Sequence, residues 1–185
     1  VAGLWAAKLT RRPGVCHLRS LRIPSASEQR FVRWVDHFIV LTRHAQEFYQ
    51  RCWPGRSITA VYDAVDPNGE PTAPAGSVRA SLNLPSSTPL VGLVARCVPG
   101  KGYEAFLRAA AMVRRRLPRT RFVIAGNGPG GDAVYETAMR TLADSLALDG
   151  ALTWAGWRDD PLQVMRELTV VVQASIAPEG FGRVA

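Results

Sequence analysis

Lysine is nearly absent from this chain: of 23 basic residues only Lys8 and Lys101 are lysine, and the other 21 are arginine. Against 15 acidic residues the formal net charge is +8, with a pI near 10.2. An arginine skew beside plentiful Ala, Gly and Pro reads as a coding bias rather than a chosen nucleic-acid footprint. No apolar run approaches the roughly 20 residues needed to span a bilayer. The N-terminal stretch has no methionine and no basic flank ahead of its apolar part, so it is not expected to be a signal peptide. Cysteine is scarce too. Cys16, Cys52 and Cys97 are odd in number and lack any C-x-x-C pairing, which argues against a disulfide scaffold and a zinc site and for a reducing compartment. What remains is 47% hydrophobic and 21% charged, a globular composition in a chain of 185 residues.

The pattern along the chain alternates helix and strand. Residues 2–12 read as a short amphipathic helix and 14–18 as a strand. SASEQRFVRWV (25–35) reads as a helix, with Ser27 ahead of the apolar spacing. HFIVLT (37–42) reads as a strand buried on both faces. Thr42 is placed to cap a helix ending near Cys52, and 57–62 is a further strand. Pro and Gly crowd 67–89, which marks a domain boundary, with one short helix at 77–82. Beyond it come strands at 90–95, 120–125, 151–155 and 168–173, separated by helices at 102–116, 131–147 and 160–167. Such alternation implies right-handed βαβ units, a parallel sheet, and ligands beyond the carboxyl ends of the strands. The expected fold class is α/β with parallel sheets.

Three motifs fall at those strand ends. In GLVARCVPGKGYEAFLRAA, Arg96 ends a strand and Lys101 opens a helix between Gly100 and Gly102. Two cations beside free helix N–H groups suit a diphosphate, although the spacing is not a Walker A loop. In RFVIAGNGPGGD, Gly126, Gly128 and Gly131 fit G-x-G-x-x-G, the spelling of a dinucleotide turn. The acidic partner such a site wants after the next strand is missing; Gly156-Trp157-Arg158 stands there. In SIAPEGFGRVA, Glu179 lies among Pro178, Gly180, Phe181 and Gly182, where a carboxylate can accept hydrogen bonds from hydroxyls. Each also has a bland reading: a glycine turn, a strand-to-helix turn, a solvated loop glutamate. The Arg114-Arg115-Arg116 run complements the C-terminal dipole of its helix, or faces an anionic lipid or phosphate surface.

Taken in order, these segments resemble the retaining, nucleotide-sugar-dependent glycosyltransferases of the group 1 type (family 4), which have the two-domain GT-B fold. The matching pieces are GLVARCVPGKG for G-R-x4-K-G, FVIAGNGPGG, ALTWAGWRDD, and PEGFGRVA for the opening of E-x7-E. YDAVDPNG looks like the segment that closes the family's first domain. The resemblance implies an internal fragment, parts of two Rossmann-like domains truncated at both ends: residues 1–66 from the acceptor-side domain, a linker at 67–89, and the start of the donor domain at 90–185. It implies that such a fragment is inactive alone, since transfer needs donor and acceptor held between two domains and half of each would be absent; the second glutamate of E-x7-E would fall two residues past Ala185. It also implies that Arg96 and Lys101 bind the donor diphosphate and that Glu179 holds sugar hydroxyls, with Phe181 and Gly182 near sugar and phosphates. Gly126 and Gly128 belong to the substrate-binding set, Gly156 to Arg158 border the base, and His17 takes the place of a histidine near the donor sugar. The implied donor is a UDP-, GDP- or ADP-sugar, with no metal and no further cofactor. The implied acceptor is a lipid, saccharide or small molecule, in the cytoplasm or at the inner membrane face. Two other classes stay open: a dinucleotide-dependent oxidoreductase, resting on Gly126, Gly128 and Gly131, and a basic nucleic-acid-binding module, resting on net charge alone.

Overall fold

A computed structural model of the chain describes residues 2–64, 77–128 and 130–182. These fall into two compact units, one built from residues 2–64 with 178–182, the other from 77–177. The expected boundary at 66–67 and positions 67–76 of the expected linker lie outside the described residues.

The first unit is a parallel sheet of β1 (Val15–Leu18), β2 (His37–Val40) and β3 (Ile58–Ala60), in the order β1-β2-β3. Its helices are α1 (Ala2–Leu9), α2 (Ala26–Phe31), continued by a 3-10 turn at Val32–Trp34, and α3 (Arg43–Cys52). β2 is buried on one face only. Phe38 and Val40 pack with Ala45, Tyr49 and Val35, while His37 and Ile39 alternate to a half-exposed face, so its apolar run overstates its burial. Thr42 caps α3 through its hydroxyl, which accepts the Ala45 N–H.

The cap of α2 is Ser25 rather than the Ser27 that the apolar spacing singles out. The Ser25 hydroxyl accepts the Glu28 N–H, and the Glu28 carboxylate accepts the Ser25 N–H at 2.8 Å, a reciprocal capping box. Arg22 forks onto the same carboxylate, and these bonds hold Glu28 down at about 2. Ser25→Ala is expected to cost the first unit about 1 kcal/mol, with Ser27→Ala within a few tenths of neutral. Equilibrium urea melts of the two variants check this; equal losses would move the cap.

The second unit has a parallel sheet in the order β6-β5-β4-β7: β4 (Leu90–Val94), β5 (Arg121–Ala125), β6 (Leu152–Trp154) and β7 (Val170–Val171). The order reverses between β4 and β7, so the carboxyl edge beside β4 is the switch point where such sheets bind ligands. Helices α5 (Tyr103–Arg116), α6 (Ala133–Ser145) and α7 (Pro161–Glu167) link consecutive strands. α5 buries Tyr103, Phe106, Leu107, Ala110 and Ala111 at helical spacing against Leu93, Phe122 and Ile124. Its terminal arginines serve the fold in part. Arg114 donates to the carbonyls of Ala147 and Asp149, and Arg115 to that of Ala111.

Residues 77–89, which composition groups with the linker, pack onto the second unit. Helix α4 (Ser77–Ser81) buries Val78 beside Val94, Ala125 and Val164. Arg79 donates its backbone N–H to the Glu167 carboxylate at 2.9 Å and its side chain to the carbonyls of Glu167, Pro85 and Thr88. Within this segment Pro85 opens a turn, its carbonyl accepting the Thr88 N–H at 3.0 Å, so this described part is not a free connector.

Candidate functional site

Four loops leave the carboxyl edge of the second sheet, and glycines without room for a side chain set two of them. After β4, the Ala95 N–H makes a last sheet bond to the Ala125 carbonyl, and the chain turns through Arg96 to Gly102. Short bonds within the turn, Val98 N–H to Arg96 O (3.0 Å) and Lys101 N–H to Val98 O (3.3 Å), hold its shape. Cys97 is buried beneath it, and burial pushes its thiol up to about 11, so it stays neutral. Arg96 is exposed and Lys101 half-buried.

The post-β7 loop is laced to this turn. The Ile176 and Ala177 N–H groups both donate to the Gly100 carbonyl, at 2.9 and 3.2 Å. Gly102 has φ +74°, and a Cβ there would stand 1.8 Å from the Ala174 carbonyl oxygen. The post-β5 turn is packed equally closely. Gly126 has φ +110°, and its Cβ would meet the Ala95 oxygen at 2.4 Å, while its N–H donates to the Gly156 carbonyl.

The three helices that start at this edge differ in what stands at their N-termini. α6 is capped by the Asp132 carboxylate, which accepts the Tyr135 N–H at 3.0 Å. α7 has Asp160 at its cap, 9% exposed and gripped by both nitrogens of the Arg158 fork at 2.7 Å. α5 starts instead at Gly102, with no side chain on its first-turn N–H groups and Lys101 immediately before. Its first-turn Glu104 is engaged by Arg108. A helix N-terminus carries roughly half a positive charge; at α5 no acidic residue stands at the cap position, Lys101 immediately precedes it, and Arg96 lies in the same turn. The arrangement can hold a dianion at the switch point.

Around that turn the structure brings together Arg96, Lys101, Gly126, Gly128, Gly156, Trp157 and Arg158, all at strand ends of one sheet. Trp157 packs its Cβ where Gly128 has none and donates its indole N–H to Asp159 at 2.8 Å. Arg158 is held by Asp160, which leaves Trp157, 49% exposed, as the more open of the two. Asp132 and Asp160 were legible as caps in GGDAV and DDPLQ, yet their bearing on charge shows only when three helix starts share an edge.

The remaining predicted residues lie with the first unit. His17 is exposed on β1, paired in register with Ile39. Residues 178–182, assigned by sequence to the donor domain, pack on that unit: a Cβ on Gly180 would press on the Arg19 carbonyl at 2.3 Å, and Phe181 meets Tyr62 edge-on. Glu179 and Gly182 sit within this loop, both half-buried. A cavity of about 180 Å³ in the same unit, walled by Phe31, Phe38, Tyr49 and Trp53, contains none of the predicted residues. Among the described residues no three His, Cys, Asp or Glu side chains gather where they could hold a metal, and no helix is long and apolar enough to cross a membrane.

The Arg158 fork holds the Asp160 carboxyl below its ordinary range. A carboxylate with a depressed folded pKa stabilises the fold above its unfolded value, about 3.9, and that stability is lost as pH falls through the folded value. Melting temperature is therefore expected to drop below about pH 4, and Asp160→Asn to flatten that part of the profile. Thermal melts from pH 3 to 7 check it; parallel profiles for the two proteins would contradict it.

The family model for glycosyl transferases group 1 matches residues 76–185, more than half of the chain. A D-inositol 3-phosphate glycosyltransferase from Mycolicibacterium gilvum is 32% identical over 163 residues, covering 85% of this chain and 36% of that protein. The lipopolysaccharide core biosynthesis glycosyltransferase LpsE of Rhizobium meliloti is 31% identical over 97 residues, covering 52% and 26%. Among solved structures, HepE of Anabaena, crystallised with UDP, with UDP and glucose, and with UDP-glucose, superposes with a TM-score of 0.82 at 26% identity. That match covers 98% of this chain and 52% of HepE. The chain thus spans about half the length of the solved structure and little more than a third of the D-inositol 3-phosphate glycosyltransferase. Its parallel sheets are those of the GT-B glycosyltransferases.

Proposed function

The chain belongs to the glycosyl transferases group 1, and on that premise we propose that it serves transfer of a sugar from a nucleoside diphosphate to an acceptor hydroxyl, with retention at the anomeric carbon. The observation that carries the reading is the uncapped, glycine-started α5 with Lys101 and Arg96 at the switch point. When the bond from the anomeric carbon to the diphosphate breaks, its electron pair leaves with the nucleotide. Cations and helix N–H groups already aimed at that oxygen stabilise the departing charge more than the ground state. This supplies the electrostatic work a metal does elsewhere, so the proposed reaction needs none. The acceptor O–H attacks the face the nucleotide leaves, and its proton passes to a departing phosphate oxygen.

The other roles follow the family motif residue by residue. Glu179 holds donor-sugar hydroxyls, Phe181 and Gly182 stand near sugar and phosphates, and His17 stands near the sugar. Gly126 and Gly128 give the nucleotide room, while Gly156, Trp157 and Arg158 border its base. HepE is bound to UDP and UDP-glucose, which makes a UDP-sugar the first donor to test, ahead of GDP- and ADP-sugars. Lipid, saccharide and small-molecule acceptors all fit the reading, as does a cytoplasmic setting.

The dinucleotide alternative fares worse on a physical ground. Its pyrophosphate belongs at the N-terminus of α6, where the Asp132 carboxylate already takes the helix N–H and would repel it. Titration of UDP-, GDP- and ADP-sugars against NAD, each with and without a chelator, tests the proposal. Saturable nucleotide-sugar binding insensitive to chelator is expected; preference for NAD would overturn it.

A further inference from the structure

We propose that the Tyr103 hydroxyl is the positioning group that sets the diphosphate-binding turn. The inference rests on the reading of that turn given under the proposed function. Tyr103 is the first residue of α5 and is fully buried, its ring stacked on Trp154 at 6.2 Å and edge-on to Tyr135 at 6.2 Å. A phenylalanine would fill that space as well, so packing does not account for the oxygen. The oxygen is spent on the turn: the hydroxyl donates to the Ala95 carbonyl at 2.7 Å and also meets the Cys97 thiol, which lies in the same loop. Burial raises the Tyr103 pKa above its ordinary value, so the hydroxyl is a protonated donor at neutral pH.

That contact joins the two ends of one loop. Ala95 is the last residue before Arg96, and Tyr103 the first after Lys101 and Gly102. The Ala95 carbonyl is therefore fixed from two sides, by the Tyr103 hydroxyl and by the side-chain-free Gly126 against it. Fixing that carbonyl fixes the peptide plane from which Arg96 departs, while the same side chain anchors the helix start that carries Lys101. One hydroxyl thus holds both cations and the α5 N–H groups in a single frame. Its loss lets the 95–96 peptide rotate toward other donors, and the turn loses its preset shape for a dianion.

The test separates a positioning role from a merely structural one. Affinities of UDP and of uridine are measured by calorimetry for the unsubstituted protein, Tyr103→Phe and Lys101→Ala, beside thermal melts. Tyr103→Phe is expected to weaken UDP about fivefold, the worth of one net hydrogen bond, and to leave uridine unchanged. A lower melting temperature with an unchanged ratio of UDP to uridine affinity, or an equal loss for both, overturns the inference. If Lys101→Ala also leaves the ratio unchanged, the diphosphate reading itself has failed; if only Lys101→Ala lowers it, the failure belongs to Tyr103 alone. Should Tyr103→Phe not fold, tyrosine labelled with 13C at Cζ in the unsubstituted protein decides the matter. The Tyr103 resonance is expected to move on adding inorganic pyrophosphate and to stay put on adding uridine, and an unmoved signal overturns the inference.

Discussion

Replacing Lys101 by alanine is expected to slow sugar transfer by the whole protein on the order of a hundredfold or more, with the loss chiefly in turnover. On the proposed function the ammonium beside the α5 N-terminus meets a diphosphate whose charge rises as the glycosidic bond breaks, which makes its expected contribution larger in the transition state than in the bound donor. Removing one donor from a comparable oxyanion site costs about 2–4 kcal/mol of barrier. Lys101→Arg should restore only part of this, because a planar fork does not replace a compact ammonium at the same helix start. The competing account has Lys101 decorating the helix, where a cation is slightly unfavourable against the dipole. Under it the alanine variant keeps full turnover and melts no lower. Steady-state kinetics beside a thermal melt separates the two.

Gly102→Ala is expected to be the most damaging single methyl group in the second unit. Its φ of +74° is costly for alanine, about 1–2 kcal/mol, and the new Cβ would stand 1.8 Å from the Ala174 carbonyl oxygen. That neighbour is backbone, tied down beside the bonds from Ile176 and Ala177 to Gly100, so it cannot step aside like a side-chain tip. With overpacking of about 1–3 kcal/mol added, the loss should lower the melting temperature by roughly 10 °C or more. Gly156→Ala is the control. Its φ of +70° carries the same intrinsic cost, but nothing lies within 4 Å of its Cβ, so its loss should be the smaller by the whole overpacking part. Equal melting temperatures for the two variants would contradict the packing of the post-β7 loop on the Lys101 turn.

Much of this was readable before any coordinates. The alternation of apolar runs with helix-spaced segments gave every strand and helix to within a few residues, and glycines after strand-like runs pointed to the carboxyl edge. What was not readable depended on contacts between distant segments. HFIVLT looks apolar throughout, but only Phe38 and Val40 meet a covering helix. Ser25 and Ser27 are equivalent as letters, and only the position of Glu28 three residues after Ser25 selects the cap. The Pro- and Gly-rich stretch hid an anchor, since Arg79 finds its partners at Glu167, 88 residues away. The segment around Glu179 follows β7 in sequence yet packs by Gly180 and Phe181 on the first unit, which no local pattern records. Likewise Tyr103 reads as one more apolar residue on a helix until its hydroxyl is seen on Ala95.

The glycine-started N-terminus of α5 is the centre of the account, and a crystal structure of the protein with UDP tests it most directly. The account predicts the diphosphate at the start of α5, within hydrogen-bonding distance of the Lys101 ammonium and the Arg96 guanidinium and facing first-turn N–H groups of the helix. A diphosphate seated instead at the start of α6, along Gly126 to Gly131 and beside Asp132, would contradict it.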